Sequence, residues 1–174
     1  MDIGLAGQGR AISVFMRPME CEEFFPRFHH VESADTISGG CLDLSKKHLK
    51  ARNATALAWF LTTSAGAAVE SIDLSGCKLT GATMEWNSQG YVLEKIDSDM
   101  DGFIALCTVL GKVRTVRLAD CGLGARSTAE LAKVFRDADA VIVSVNCLAN
   151  HFGDEGLATL LTAIEGASVR SLCG

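Results

Sequence analysis

The sequence predicts an α/β fold in which short parallel strands alternate with helices along a stacked array. A pattern of apolar residues typical of a short strand and its following turn recurs several times, and residues with helical spacing follow most copies. One such unit has a single apolar face, and stacking the units joins these faces into a continuous core. The chain has 174 residues, 48% of them hydrophobic, which is enough for one short array.

The strand pattern consists of three apolar residues, then a cysteine or asparagine, then a further apolar residue. It is complete in residues 69–79, 113–123 and 142–152, weaker in residues 39–49 and 93–103, and begins again at Val169. The second apolar position of the successive copies falls at Leu42, Ile72, Ile96, Val116, Val145 and Leu172, at intervals of 30, 24, 20, 29 and 27 residues. These intervals are typical of a repeat of about 20–29 residues per strand–turn–helix unit.

Helical spacing is clearest near the C-terminus, where Leu157, Leu160, Leu161 and Ile164 recur at i, i+3, i+4 and i+7. Looser sets of the same kind lie in residues 56–61, 105–110 and 131–135. The sequence from Ser127 to Glu130 matches a capping box, which predicts that the third of these helices starts there.

The complete copies resemble the ribonuclease-inhibitor class of leucine-rich repeats. The run NHFGDEGLATLL, from Asn150 to Leu161, is close to the pattern N-x-I-G-D-E-G-x-x-x-L-x of that class. The runs IDLSGCKLT, from Ile72, and VRLADCGL, from Val116, match its cysteine form. The resemblance covers about residues 39–174.

This resemblance implies a short right-handed solenoid, with a curved parallel β-sheet on its concave side and helices on its convex side. Residues 39–174 would form five to six copies, the last of them incomplete. Residues 1–38 carry no copy, and we expect them to be an N-terminal cap or extension that covers the first edge of the core. The cysteine or asparagine positions, Cys77, Cys121 and Asn150, are expected to be structural, because their side chains can bond backbone groups where the strand turns away.

Composition and patterning exclude several classes of function. A net charge of −5 argues against a broad nucleic-acid surface, and the pair Lys46–Lys47 is too short a basic run to suggest one. The apolar runs are shorter than a membrane span requires, and the N-terminus does not resemble a secretory signal. Seven cysteines, an odd number without a CxxC pair, indicate a reducing compartment, so we expect a cytoplasmic protein.

No cysteine or serine has a base at a recognisable spacing, so the sequence predicts no catalytic site and no enzyme activity. The run Asp97–Gly102 begins like an EF-hand calcium loop, with aspartates at positions 1, 3 and 5 and glycine at position 6. Position 12 is Thr108, which cannot chelate with two oxygens. A calcium-responsive module using Asp97, Asp99 and Asp101 is therefore only an alternative, and the sequence predicts no metal site and no cofactor.

The remaining candidate site is the outward face of the strands. Residues between core positions of a strand point to the opposite side, here the concave side. They predict an acidic patch of Glu70, Asp73, Glu94, Asp97 and Asp99 beside a basic patch of Arg114, Arg117 and Arg170, with Asn146 at the margin. Adjacent patches of opposite sign would orient a protein partner. The alternative is that these are solvated strand residues without a partner.

The predicted function is therefore a non-catalytic protein–protein interaction module that binds a protein partner through the concave strand face. A second possibility is a structural subunit of a larger assembly. In that case the chain would dock, or self-associate, through its C-terminal sheet edge, for which the sequence shows no polar cap. Neither function involves nucleic acid or a membrane.

Overall fold

The computed structural model describes residues 37–171, which form an α/β fold. The strands are β1 (Ile37–Ser38), β2 (Cys41–Asp43), β3 (Ser71–Asp73), β4 (Thr83–Asn87), β5 (Gly90–Glu94), β6 (Thr115–Arg117) and β7 (Ser144–Asn146). The helices are α1 (Ala51–Thr62), α2 (Asp101–Leu110), α3 (Ala125–Arg136) and α4 (Gly153–Ile164), and a 3-10 turn covers Gly66–Ala68. The predicted α/β class is confirmed for this part of the chain.

One sheet organises the fold, in the order β1-β2-β3-β6-β7. Strands β2, β3, β6 and β7 are parallel, and the short β1 pairs antiparallel with the outer edge of β2. Leu42, Ile72, Val116 and Val145 stand opposite one another in the register. They point into a core shared with α1 to α4, which is built largely from buried leucines and valines. Burial of each large apolar side chain contributes about 1.5–3 kcal/mol.

A left-handed residue follows each parallel strand at the same distance. Lys46, Gly76, Asp120 and Ala149 have φ of 55°, 77°, 51° and 55°, and each lies four residues after the central residue of its strand. This conformation turns the chain out of the sheet and toward the next helix. The recurrence shows that the four units share one local backbone design, as the sequence pattern predicts.

The weak copy at residues 93–103 does not form a unit of the sheet, so this prediction is wrong. Strand β3 pairs directly with β6, so the interval between Ile72 and Val116 is 44 residues instead of two shorter steps. Residues 83–94 form a separate antiparallel hairpin, β4–β5, inserted before α2. Lys95 and Asp97 have φ of 53° and 55°, which breaks any strand through Ile96.

The predicted capping box at Ser127–Glu130 does not start α3, which begins two residues earlier at Ala125. Ser127 is instead the third helical residue, and its hydroxyl accepts a hydrogen bond from Gly124 N at 2.8 Å. The predicted N-terminal cap, residues 1–38, lies outside the described residues apart from strand β1. Among residues 37–171, no helix is both long and apolar enough to cross a lipid bilayer.

Candidate functional site

The open face of the sheet is the side turned away from the helices, and alternate strand residues supply it. Ile72 and Leu74 are fully buried, whereas Ser71, Asp73 and Ser75 are half-buried. The same alternation holds in β2, β6 and β7. The central row of this open face consists of Asp43, Asp73, Arg117 and Asn146.

Charges of opposite sign lie side by side on this face. Asp73 stands directly opposite Arg117 in the register. At the entrance to the strands Glu70 is beside Arg114, whose backbone N–H donates to Glu70 O at 3.0 Å. The ion pairs within residues 37–171 join Lys78 to Asp120, Lys95 to Glu85 and Lys133 to Glu130. None of these ion pairs involves a charged side chain of the open face, and a partner can therefore contact Glu70, Arg114 and Arg117 and the second carboxylate oxygens of Asp43 and Asp73.

Three residues of the central row also shape the turn that follows their strand. The carboxylates of Asp43 and Asp73 each accept the backbone N–H two residues on, at 2.9 Å, and Asn146 does the same at 3.2 Å. The hydrogen bond from the Ser45 backbone, followed by that from the Ser45 hydroxyl, lowers the pKa of Asp43. Each of these side chains keeps one further atom that can face a ligand.

Glu94, Asp97 and Asp99 are not on the open face, so the acidic patch is smaller than predicted. Glu94 is an exposed residue of β5 that pairs with Thr83 in the hairpin. Asp99 is exposed in the loop before α2. Asp97 is only 5% exposed. The sequence misplaced all three because the hairpin insertion gave a false copy of the strand pattern.

Asp97 caps the N-terminus of α3. Its carboxylate accepts hydrogen bonds from the backbone N–H groups of Gly124, Arg126 and Ser127 at 3.2, 2.9 and 3.0 Å. Gly124 makes this approach possible, because a Cβ there would lie 2.7 Å from the carboxylate. The first N–H groups of a helix have no backbone acceptor within it and lie at the positive end of its dipole, so a carboxylate is favoured at this position.

The three aspartates of the calcium hypothesis do not converge. Asp97 turns toward α3, whereas Asp101 opens α2. Gly102, the glycine of the supposed loop, lies in α2. Glycine is required there because a Cβ would come within 2.1 Å of Ala51 O on α1. In the described part of the chain no group of three or more His, Cys, Asp or Glu side chains is placed to hold a metal ion.

The repeated cysteine or asparagine position bonds each unit to the preceding one. The thiols of Cys77 and Cys121 donate to Leu44 O at 3.3 Å and to Leu74 O at 3.2 Å. Asn150 Nδ2 donates to Leu118 O at 2.7 Å. Each acceptor is the second residue after its strand centre, so the bonds are equivalent. The predicted structural role of Cys77, Cys121 and Asn150 is confirmed.

Asn150→Asp is expected to lower the free energy of unfolding by about 3 kcal/mol at pH 7. The wild-type amide oxygen accepts from the N–H groups of Cys121 and Leu123, and the amide nitrogen donates to three carbonyls. A carboxylate at this position still accepts hydrogen bonds from the two N–H groups, but its second charged oxygen faces carbonyl oxygens. This repulsion disfavours the ionised form and raises the pKa of the introduced carboxyl group. Urea denaturation should therefore show a smaller loss at pH 4, where the carboxyl is protonated. An equal loss at both pH values would contradict this interpretation.

Sequence reasoning missed a second feature, at the edge of the sheet where the strands end. The run KKHLKAR, from Lys46 to Arg52, places five cationic or titratable side chains in one turn and the start of α1. Residues 81–84 at the base of the hairpin face this run, and the hairpin exposes Met84, Trp86 and Tyr91. The signals were present in the sequence as a basic run in an acidic chain and as two aromatics flanking a short polar turn.

Comparison with models of known protein families gave no match, and comparison with curated proteins gave no significant match. The class that the fold itself defines is an α/β protein with a four-stranded parallel sheet, one open sheet face and a separate antiparallel hairpin.

Proposed function

We propose that the chain is a non-catalytic protein-binding module with a leucine-rich-repeat architecture, which binds a protein partner through the open face of its sheet. The four equivalent strand–turn units and their bonds from unit to unit support the repeat architecture. The open face is the surface that stacked repeats present for recognition. The cytoplasmic location predicted from the cysteines is part of this proposal.

The observation that carries the proposal is the direct juxtaposition of Asp73 with Arg117 and of Glu70 with Arg114. Alternating charges in adjacent strands give a partner a defined register and increase its rate of association. Small neighbours, Ser71 and Thr115, leave room for the backbone of a partner to approach. Docking through the C-terminal sheet edge stays a prediction, because the residues after Ser171 lie outside the described part of the chain.

Two features support a function without catalysis. Burial raises the pKa of Cys77 and raises those of Cys107 and Cys121 to about 12, so these thiols are poor nucleophiles at neutral pH. The carboxylates of Asp43 and Asp73 are already engaged by their own turns. The described face offers charges for recognition and no activated nucleophile.

Reversing two charges of the open face, Arg114→Glu with Arg117→Glu, is expected to weaken capture of the cellular partner by about tenfold. The matched control is Lys112→Glu with Arg136→Glu, which changes the net charge equally at exposed positions outside the face. Capture is quantified by mass spectrometry of the proteins retained on the immobilised variants. Equal retention of the partner by the open-face variant and by the wild type would contradict the proposal.

Photo-crosslinking locates the interface independently of charge. A photoreactive residue replacing Thr115, in the centre of the open face, should form an adduct with the captured partner. The same replacement at Thr108, exposed on α2, serves as control and should form none. Adducts from position 108 alone would place the partner on the helices and refute the assignment.

A further inference from the structure

A groove of about 740 Å³ lies at the strand-exit edge of the sheet, away from the open face. One wall is formed by His48 to Arg52 at the start of α1, and the other by Gly81 to Met84 at the base of the hairpin. Gly76, Lys78, Asp99 and Asp120 complete it. Its volume is in the range of sites that hold a compact ligand or a short peptide.

Two permanent cations, Lys50 and Arg52, are exposed on the α1 wall of the groove. His48 is exposed on the same wall, and Lys46 and Lys47 are exposed just before it. Helix α1 has no acidic residue in its first turn, so Lys50 and Arg52 lie near the positive end of a helix dipole without an acidic neighbour on the helix itself. Carboxylates of a ligand would relieve this repulsion. The cluster occurs in a chain whose net charge is −5.

The hairpin wall is apolar and extends beyond the groove. Met84 is opposite Leu93 and Trp86 is opposite Tyr91, so all four side chains share one face of the hairpin. Leu93 packs near Gly122 at the base, whereas Met84, Trp86 and Tyr91 are 54%, 72% and 70% exposed. The rings of Trp86 and Tyr91 meet edge to face with centroids 4.9 Å apart. Exposed tryptophan and tyrosine are typical anchors of protein interfaces.

The floor of the groove favours a peptide over a nucleic acid. Lys78 is already engaged, since its Nζ lies 3.0 Å from Asp120 Oδ1 and 2.6 Å from Asp120 O. Asp99 is exposed beside it. A continuous phosphate backbone would meet both carboxylates, whereas a peptide can place an apolar side chain over them and its acidic residues against α1.

We propose that this groove and the adjoining hairpin strip bind an acidic segment of a partner protein that carries a large apolar side chain. The carboxylates of the segment contact Lys50 and Arg52, and its apolar side chain packs on Met84 and Trp86. This site goes beyond the proposed open-face function, because it lies on a different edge of the sheet and selects a different chemistry.

Trp86 provides a direct readout of binding. The chain has two tryptophans, so Trp59→Phe leaves Trp86 as the only indole. Adding the peptide acetyl-EEFEELE-amide to this variant should shift Trp86 emission saturably. The apolar-poor peptide acetyl-EEGEEGE-amide and the basic peptide acetyl-KKFKKLK-amide should each bind about tenfold more weakly.

Lys50→Glu with Arg52→Glu should weaken binding of the acidic peptide about tenfold, and Met84→Ser should weaken it about fivefold. Both cations are exposed, and an acidic residue at this helix end favours α1, so the double variant is expected to fold. Far-UV circular dichroism checks this. The matched control is again Lys112→Glu with Arg136→Glu, which should bind like the wild type.

Several results would overturn the inference. One is the absence of a Trp86 response at millimolar peptide, and another is tighter binding of a single-stranded oligonucleotide. Loss of binding in the Arg114→Glu, Arg117→Glu variant would place the peptide on the open face instead. Binding that appears only after Glu20, Glu22 and Glu23 are changed to lysine would make the N-terminal segment of this chain the occupant.

Discussion

Replacing Asp97 by alanine is expected to lower the free energy of unfolding by about 3–5 kcal/mol. Asp97 is 5% exposed, and its carboxylate accepts hydrogen bonds from three backbone N–H groups at the start of α3. Alanine would leave the N–H groups of Arg126 and Ser127 without this acceptor, while Gly124 N–H keeps only its hydrogen bond to Ser127 Oγ. It would also remove the negative charge that the helix dipole favours. Alanine also fits poorly at a φ of 55°. Urea denaturation followed by circular dichroism measures the loss.

Asp99→Ala is the matched control for this change. Asp99 belongs to the same acidic run but is exposed, so its loss should alter the free energy of unfolding by less than about 0.5 kcal/mol. Asp97→Asn should fall between the two variants, because an amide oxygen still accepts some of the N–H groups. Equal destabilisation by Asp97→Ala and Asp99→Ala, with recovery of both by excess calcium, would contradict the capping role.

Alkaline pH is expected to unfold the protein through its buried thiols. Burial raises the pKa of Cys107 and of Cys121 from an ordinary 9.0 to about 12. The unfolded chain therefore loses these protons above pH 9 while the folded chain retains them. Their contribution to stability is complete below pH 9 and is lost as the pH rises toward 12. Each thiol lowers the free energy of unfolding by about 1.4 kcal/mol per pH unit in this window.

The Cys107→Ala, Cys121→Ala variant isolates this effect from the lysines and tyrosine that titrate in the same range. The variant is less stable at neutral pH because it loses packed sulfur atoms, but its stability should fall less steeply above pH 9. Urea midpoints measured between pH 8 and about pH 10.5 give both slopes. Parallel slopes would show that the thiols do not control alkaline unfolding. Thiol reagents should also modify Cys107 and Cys121 only after unfolding.

The units of the sheet with complete patterns were predictable from local sequence. The spacing of Ile72, Leu74 and Leu79 requires a strand followed by a turn, and Val116 and Val145 repeat it. Parallel stacking then follows, because each unit has only one apolar face to bury. The juxtaposition of Asp73 and Arg117 on the open face is a direct consequence of that register.

The hairpin and the position of Asp97 were not predictable in the same way. Residues 93–103 match the strand pattern loosely, and only the direct pairing of β3 with β6 shows that they lie outside the sheet. The bonds of Asp97 span about thirty residues along the chain, which no local pattern reports. The groove likewise joins residues 48–52 to residues 81–84, two segments that come together only in the folded chain.

Within the complete copies, the sequence by itself therefore determined which strand residues are buried and which alternate onto the open face, because this periodicity follows directly from strand geometry. Only the tertiary structure decided which strands are neighbours, and with that the size of the acidic patch, the cap of α3 and the groove beside the hairpin. The physical reason is that the pairing of parallel strands and the approach of distant polar groups depend on the packing of the whole core. An insertion between two units changes their separation along the chain without changing their contact in space.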